Sequence, residues 1–272
     1  KDSDKQTQGK VLRILRYTTY ADISSCISSE EPKGQEACMG RCPEGFGKAE
    51  MKKFVFAISG ASGSIIGMRV LRELLKTSQV HLIISSQSFS IIKDETGIDW
   101  TIKKNSKFPP QAGRRGDKIQ NSKLIEDKIR KYFKTDRLFF HNETQMEAPI
   151  ASGSFKTDGM FVVPCSMKTL SGIANGYANN LVERAADVTI KEGRPLLLSP
   201  REMPFSAIHL ENMLKLAMLG VKIAPPALAF YHKPKKIDDI VDFMAGKILD
   251  AMGIEHEIFK RWGGKLFSGD GG

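Results

Sequence analysis

Residues 53–75 read KFVFAISGASGSIIGMRVLRELL, and their order decides the fold. The apolar run at 54–58 has the length of a buried strand. A turn of small residues follows, Ser59-Gly60-Ala61-Ser62-Gly63, and then Ile65, Met68, Leu71, Leu74 and Leu75 recur at helical spacing. Strand, tight turn and helix in that order open a βαβ unit, whose strands must run parallel.

Working outward, the same alternation continues. Strand-like runs stand at 80–84, 160–163, 196–198 and 221–224, with Ile208, Met213, Leu216, Ala217 and Leu219 at helical spacing between the last two. A final helix is expected over 237–251. The expected architecture is α/β, a doubly wound, mainly parallel sheet with helices on both faces. Residues 51–262 make up this domain, preceded by an appended segment at 1–50 and followed by a Gly-rich tail at 263–272. Residues 100–147 break the rhythm with Pro109-Pro110, Gly113 and Gly116, and read as a basic insertion between sheet elements, with a short helix at 124–133.

The formal charge of +10 is concentrated in that insertion: residues 101–140 hold 12 Lys or Arg against 4 Asp or Glu. A solvated basic face is the plain reading, with an acidic partner surface or a nucleic-acid patch beside it. No aromatic interleaving or RNA-binding signature supports the last. No apolar run approaches the roughly 18–20 residues of a membrane helix. Cys26, Cys38 and Cys42 fall in the first segment and Cys165 in the domain. That is no disulfide framework, and it suits a reducing compartment. Cys38 and Cys42 lack the further ligands a zinc site needs, since the nearest histidine is His81. Residues 10–29 have a faint transit-peptide composition, against which Asp2, Asp4 and Asp22 speak.

In an open parallel sheet, ligands bind beyond the carboxyl ends of the strands. Here those ends carry Ser59-Gly60-Ala61-Ser62-Gly63-Ser64, Ser85-Ser86, Cys165-Ser166-Met167-Lys168-Thr169, Ser199-Pro200-Arg201-Glu202, and Pro225-Pro226 leading to Phe230-Tyr231-His232-Lys233. The first turn opens a helix, so its backbone N–H groups and hydroxyls can hold a phosphate; a merely tight structural turn is the alternative. It lacks the Lys-Ser/Thr of a P-loop, its glycines miss the dinucleotide spacing, and position 64 is not the Gly of a nucleophile elbow. A mononucleotide fits better.

Together, 58–63, 164–173, Arg184-Ala185-Ala186-Asp187-Val188, Arg201-Glu202-Met203-Pro204, Pro225-Pro226 and Ala229-Phe230-Tyr231-His232 resemble the UbiX flavin prenyltransferases, in family order from residue 52 to about 262. The resemblance implies a metal-independent transferase that joins the dimethylallyl group of dimethylallyl phosphate to N5 and then C6 of reduced FMN. The prenylated FMN then serves UbiD-type decarboxylases in ubiquinone biosynthesis or aromatic-acid decarboxylation. It also implies a Rossmann-like flavoprotein fold and a homododecamer with flavin sites at subunit interfaces.

The FMN contacts so implied are Gly60, Ala61, Ser62, Ser85, Ser166, Met167, Lys168, Thr169 and Arg201; the dimethylallyl phosphate contacts are Lys191, Arg201, Tyr231 and Lys247. Lysine at 247 departs from the usual Arg and replaces a bidentate fork with a single ammonium. Glu202 and Glu95 are the implied proton-transfer groups, with Lys191 and Tyr231 acting on the leaving phosphate. Phe230 and Trp262 are candidates to shelter the developing allyl cation. The competing classes are an FMN-dependent decarboxylase of the wider flavoprotein superfamily and a non-enzymatic flavin-binding subunit. Cytoplasm suits a bacterial-type enzyme, the mitochondrial matrix a eukaryotic one.

Plainer readings stand beside several of these residues. Asp238-Asp239-Ile240-Val241-Asp242 spells the D-D-x-x-D of helical isoprenyl synthases, but here it opens a helix whose positive end suits acids. Cys165 reads as a packed thiol, His81 and His209 as structural, Arg184 and Asp187 as a pair, and Met167 as a backbone contributor. His232 follows Tyr231 and has a possible site role.

Overall fold

The run at 54–58 becomes an inner strand of a six-stranded sheet. The computed structural model describes residues 51–102, 115–259 and 261. The segments at 1–50 and 263–272, residues 103–114 of the insertion, Lys260 and Trp262 lie outside the described residues.

The strands are β1 Lys53–Ile58, β2 Gln79–Ile84, β3 Leu138–Asn142, β4 Gly159–Cys165, β5 Leu196–Pro200 and β6 Lys222–Ile223. The helices are α1 Ser64–Thr77, α2 Ser86–Thr96, α3 Arg115–Phe133, α4 Met167–Ala174, α5 Leu181–Lys191, α6 Ala207–Met218 and α7 Ile237–Ala251. All pairs are parallel, in the order β3-β2-β1-β4-β5-β6. From β1 the chain winds outward to β3, then returns to β4 on the other side of β1. The crevice beyond β1 and β4 is therefore the topological switch point.

Strand alternation divides the core. Phe54, Phe56 and Ile58 join Leu71, Leu74, Leu82 and Leu249 on the face covered by α1 and α7. Val55 and Ala57 join Met160, Val162, Leu170, Ala186 and Leu216 on the face covered by α4, α5 and α6. Burial on both faces is why the inner strands are continuously apolar rather than alternating. Gly67 lets α1 settle on β4: a Cβ there would lie 2.3 Å from the Val163 carbonyl oxygen.

The segment at 100–147 differs from the insertion expected of it. It is the crossover that carries α3 and the edge strand β3, which extends the sheet beyond β2. Basic α3 does structural work on that exposed edge. The Phe140 N–H donates to Glu126 at 2.7 Å, and Arg130 Nε donates to the Leu138 carbonyl at 2.7 Å. Edge groups that would otherwise invite another strand are thus satisfied from within. At the opposite edge, the strand expected over 221–224 pairs only at Lys222 and Ile223. On α6, Met213 and Leu216 are buried, but Ile208 and Leu219 of the expected inward face are exposed. No helix among the described residues is long and apolar enough to cross a membrane.

Candidate active site

The crevice is built from the ends of adjacent strands, and Ser59 ties two of them together. Its N–H and Oγ both donate to the Pro164 carbonyl, at 3.1 and 3.2 Å, while Oγ accepts from the Ser166 N–H at 2.8 Å. Three helices begin at this rim: α1 after β1, α2 after β2, and α4 after β4. Their positive ends give the crevice an affinity for anions. Gly63, with φ of 103°, makes the turn into α1 in a conformation glycine tolerates best. Gly60, Ser62 and Lys168 are exposed on the rim, and Ala61, Ser166 and Met167 are half-buried.

Internal groups already occupy many of the donors at this rim. The N–H groups of Gly63 and Ser64 donate to the two carboxylate oxygens of Glu95 at 2.9 and 2.8 Å, and Ser64 Oγ donates at 2.5 Å. The α1 N-terminus read from sequence as an open phosphate seat is thus capped by a side chain 31 residues away. Partial burial opposes the charge on Glu95, but hydrogen bonds from Ser64, Ser62 and the turn's backbone outweigh it and hold the carboxyl below its ordinary value. Expected as a general proton-transfer acid, Glu95 is held ionised; it can accept a proton only by surrendering one of these bonds.

Glu143 does the same at α2, accepting from the Ser86 N–H at 2.9 Å and from the Ser86 hydroxyl. Ser166 caps α4, accepting from the Thr169 N–H at 3.2 Å. Ser85 is buried and shares a 2.8 Å hydrogen bond with Ser88. No local motif announces the roles of Ser59, Glu95 or Glu143, because each acts across long sequence separations.

At the end of β5, the Arg201 N–H donates to the Cys165 carbonyl at 3.1 Å, joining this corner to the crevice wall. The side chains of Arg201 and Glu202 are exposed, and among the described residues Glu202 accepts only its neighbour's N–H, from Met203 at 3.0 Å. Tyr231 and Lys247 form a separate group. The Tyr231 ring meets Phe243 edge-on at 5.5 Å, and Lys247 follows Phe243 by one turn on the exposed side of α7. Phe230 is exposed beside them.

Lys191 does not join either group within one chain. It closes α5 before β5 starts, paired with Glu192 at 3.1 Å, whereas Arg201 and Glu202 follow the other end of β5. The length of that strand, about 17 Å, lies between them.

The plainer assignments fit the structure. Burial pushes the Cys165 thiol up to about 12, against a hydrogen bond from Ser59, so it is no thiolate nucleophile. Asp238 pairs with Arg69 at 3.2 Å, Asp242 also meets Arg69, and Asp239 accepts from the N–H groups of Lys235 and Lys236. The acidic run therefore ties α7 to α1. Arg184 and Asp187 pair at 2.8 Å, and His209 completes a capping box with Ser206. His81 packs in the sheet against His141, and His232 stacks on Phe243 at 4.6 Å.

Against known proteins, a family model described as Flavoprotein matches residues 46–249. The Flavin prenyltransferase UbiX of Methanocaldococcus jannaschii is 46% identical over 211 residues, covering 78% of this chain and 98% of that protein. The chain belongs to the UbiX flavin prenyltransferase family. The UbiX enzyme of Halalkalibacterium halodurans is 42% identical over 212 residues, covering 77% of this chain and 93% of that one. Among solved structures, a dodecameric FMN-dependent UbiX-like decarboxylase from Escherichia coli O157:H7 superposes with a TM-score of 0.64 at 41% identity, covering 78% of this chain and all of that one. AnUbiX (PadA1), solved with FMN and dimethylallyl pyrophosphate, gives 0.63 at 37% identity, covering 78% of this chain and 98% of that one. As a UbiX-family transferase with a doubly wound α/β fold, the chain agrees with the sequence reading on fold, family and enzyme class.

Proposed function

We propose that this enzyme transfers the dimethylallyl group of dimethylallyl phosphate to N5 and then C6 of reduced FMN, with the crevice at the switch point as its flavin site. The observation that carries the reading is the convergence of Gly60, Ala61, Ser62, Ser85, Ser166, Met167, Lys168, Thr169 and Arg201 at neighbouring strand ends, beside an exposed Glu202. The crevice suits the cofactor: three helix starts meet there, their first-turn donors shared with Glu95, Glu143 and Ser166, and the cations Lys168 and Arg201 stand at the rim to hold a phosphate. Reduced FMN supplies two nucleophilic ring positions.

The chain's own residues do the rest. Arg201, Lys191, Tyr231 and Lys247 hold the leaving phosphate, their donors strengthening as charge builds on it. Exposed and held by no cation among the described residues, Glu202 is the better placed carboxyl to exchange protons. Glu95 orients the turn, and proton uptake there comes at the expense of one of its hydrogen bonds.

Because Lys191 stands at the far edge of the sheet, a complete phosphate site needs a second copy of the chain. Exposed Leu210, Leu214 and Met218, spaced by one turn along α6, give a self-association face, at 54%, 62% and 80% exposure. A dodecamer like that of the E. coli relative is the assembly to which we assign both roles. The product would pass to a UbiD-type decarboxylase, and the reaction needs no metal. Cytoplasm is the compartment we favour.

The test is anaerobic incubation with reduced FMN and dimethylallyl phosphate, followed by mass spectrometry of the released flavin. A gain of one five-carbon unit is expected. No gain refutes the reading, and carbon dioxide release without a partner would favour the decarboxylase class instead. Glu202→Gln should retain FMN and lower turnover by about 100-fold or more; lost flavin binding would give Glu202 a structural role.

A further inference from the structure

We propose that the cavity at the amino edge of the sheet, between the ends of α1 and α3 and the start of β3, binds a compact phosphate-rich anion. It is a hollow of about 640 Å³, open to solvent, and lies at the opposite sheet edge from the flavin crevice. Arg72, Lys76, Arg130, Lys134 and Arg137 line it against one carboxylate, Asp136.

Part of this charge has an internal purpose. Lys76 pairs with Glu73 and Arg130 with Glu126, each on its own helix, and the carbonyl ends of α1 and α3 favour cations here. Arg72, Lys134 and Arg137 are different. None has a carboxylate within ion-pair distance among the described residues. Both arginines are instead held by neutral acceptors. Arg72 donates to the Tyr132 hydroxyl at 3.2 Å with its guanidinium 5.6 Å from that ring, and Arg137 donates to the Lys76 carbonyl. Those bonds orient the guanidinium groups without neutralising them, so little side-chain freedom remains to be lost when an anion arrives. Lys134 has φ of 52°, where glycine or asparagine is usual, so the position holds a cation against steric preference.

Two planar forks and an ammonium around one hollow suit phosphoryl oxygens. The geometry favours a small ligand over nucleic acid, since Arg72 covers the Tyr132 and Phe133 rings on which bases would otherwise stack.

Inorganic triphosphate is the probe, titrated calorimetrically into the full-length protein with FMN saturating, so that phosphate seats in the crevice are filled. One saturable event per chain is expected, weakening as salt rises. Arg137→Gln should weaken it by about ten-fold, and Lys134→Gly by a similar factor while raising the melting temperature, since glycine relieves the backbone. Flavin prenylation should be unchanged in both variants. Absence of binding, or binding that both variants leave intact, overturns the proposal. A duplex DNA oligonucleotide that binds more tightly, with stoichiometry growing with its length, overturns it in favour of nucleic acid.

Discussion

The two edges of this sheet carry opposite electrostatic problems, and the chain answers them differently. In a parallel sheet with antiparallel helices, helix N-termini gather at the carboxyl edge and C-termini at the amino edge. At the carboxyl edge the positive backbone ends meet Glu95, Glu143 and the Ser166 hydroxyl, each bonded to a first-turn N–H. At the amino edge the negative ends meet Lys76, Arg130 and Arg137, the last donating directly to a terminal carbonyl of α1. Side chains thus offset the backbone field at both edges, and what remains uncompensated marks candidate chemistry. At one edge it is Lys168, Arg201 and Glu202; at the other, Arg72, Lys134 and also Arg137, whose bond to a carbonyl leaves its charge unneutralised.

The comparison can be broken most severely where the carboxyl edge depends on contact rather than charge. Gly67→Ala puts a methyl group against the Val163 carbonyl and must lift α1 from β4. The expected loss is about 3 kcal/mol in urea unfolding, with FMN affinity falling too because the turn before α1 moves. A loss below about 1 kcal/mol would mean that the helix shifts freely.

A smaller effect is expected between the edges, where no helix end offsets a charge. His81 Nδ1 and His141 Nε2 lie 2.9 Å apart. Burial, followed for His81 by the repulsion of His141 and Lys53, brings both imidazoles down to about 4. The unfolded chain therefore takes up protons first as pH falls through 6.5, so their neutral packing stabilises the fold fully above that value and progressively less down to about 4. His81→Phe should flatten the stability profile in that window by on the order of 2 kcal/mol. An unchanged slope between wild type and variant would exclude the pair as its source.

How far these edges could be read in advance depended on the range of the interactions. The β1–turn–α1 unit was legible because two hydrophobic periods change within 23 residues at 53–75. The strand-end residues were legible for the same reason, since each follows a short apolar run. β3 was not. It is a half-buried edge strand of five residues, enclosed by basic sequence, and its support comes from Glu126 and Arg130 on a helix that charge alone describes as solvated. Nor was the capping by Glu95, which depends on the fold bringing the end of α2 against the start of α1. The separation of Lys191 from Arg201 could have been noticed: a whole strand, 196–200, lies between them in the sequence.

The finest test returns to the α1 terminus, where compensation by a side chain and anion binding meet in the same N–H groups. Glu95→Gln keeps the shape and an acceptor oxygen but removes the charge, so the expected cost is about 1 kcal/mol. Its sign with pH is fixed by the depressed carboxyl. Wild-type stabilisation is present above the ordinary carboxylate range and is lost as pH falls through the lower folded value, so the two proteins should converge in acid and diverge toward neutrality. Thermal melts from pH 3 to 7 would measure this. The same variant reports on the crevice. If Glu95 competes with a phosphate for the Gly63 and Ser64 donors, the glutamine protein should bind inorganic phosphate or FMN more tightly than wild type. If it only braces the turn, affinity should be equal or weaker, and the α1 terminus then belongs to the scaffold rather than to the anion seat.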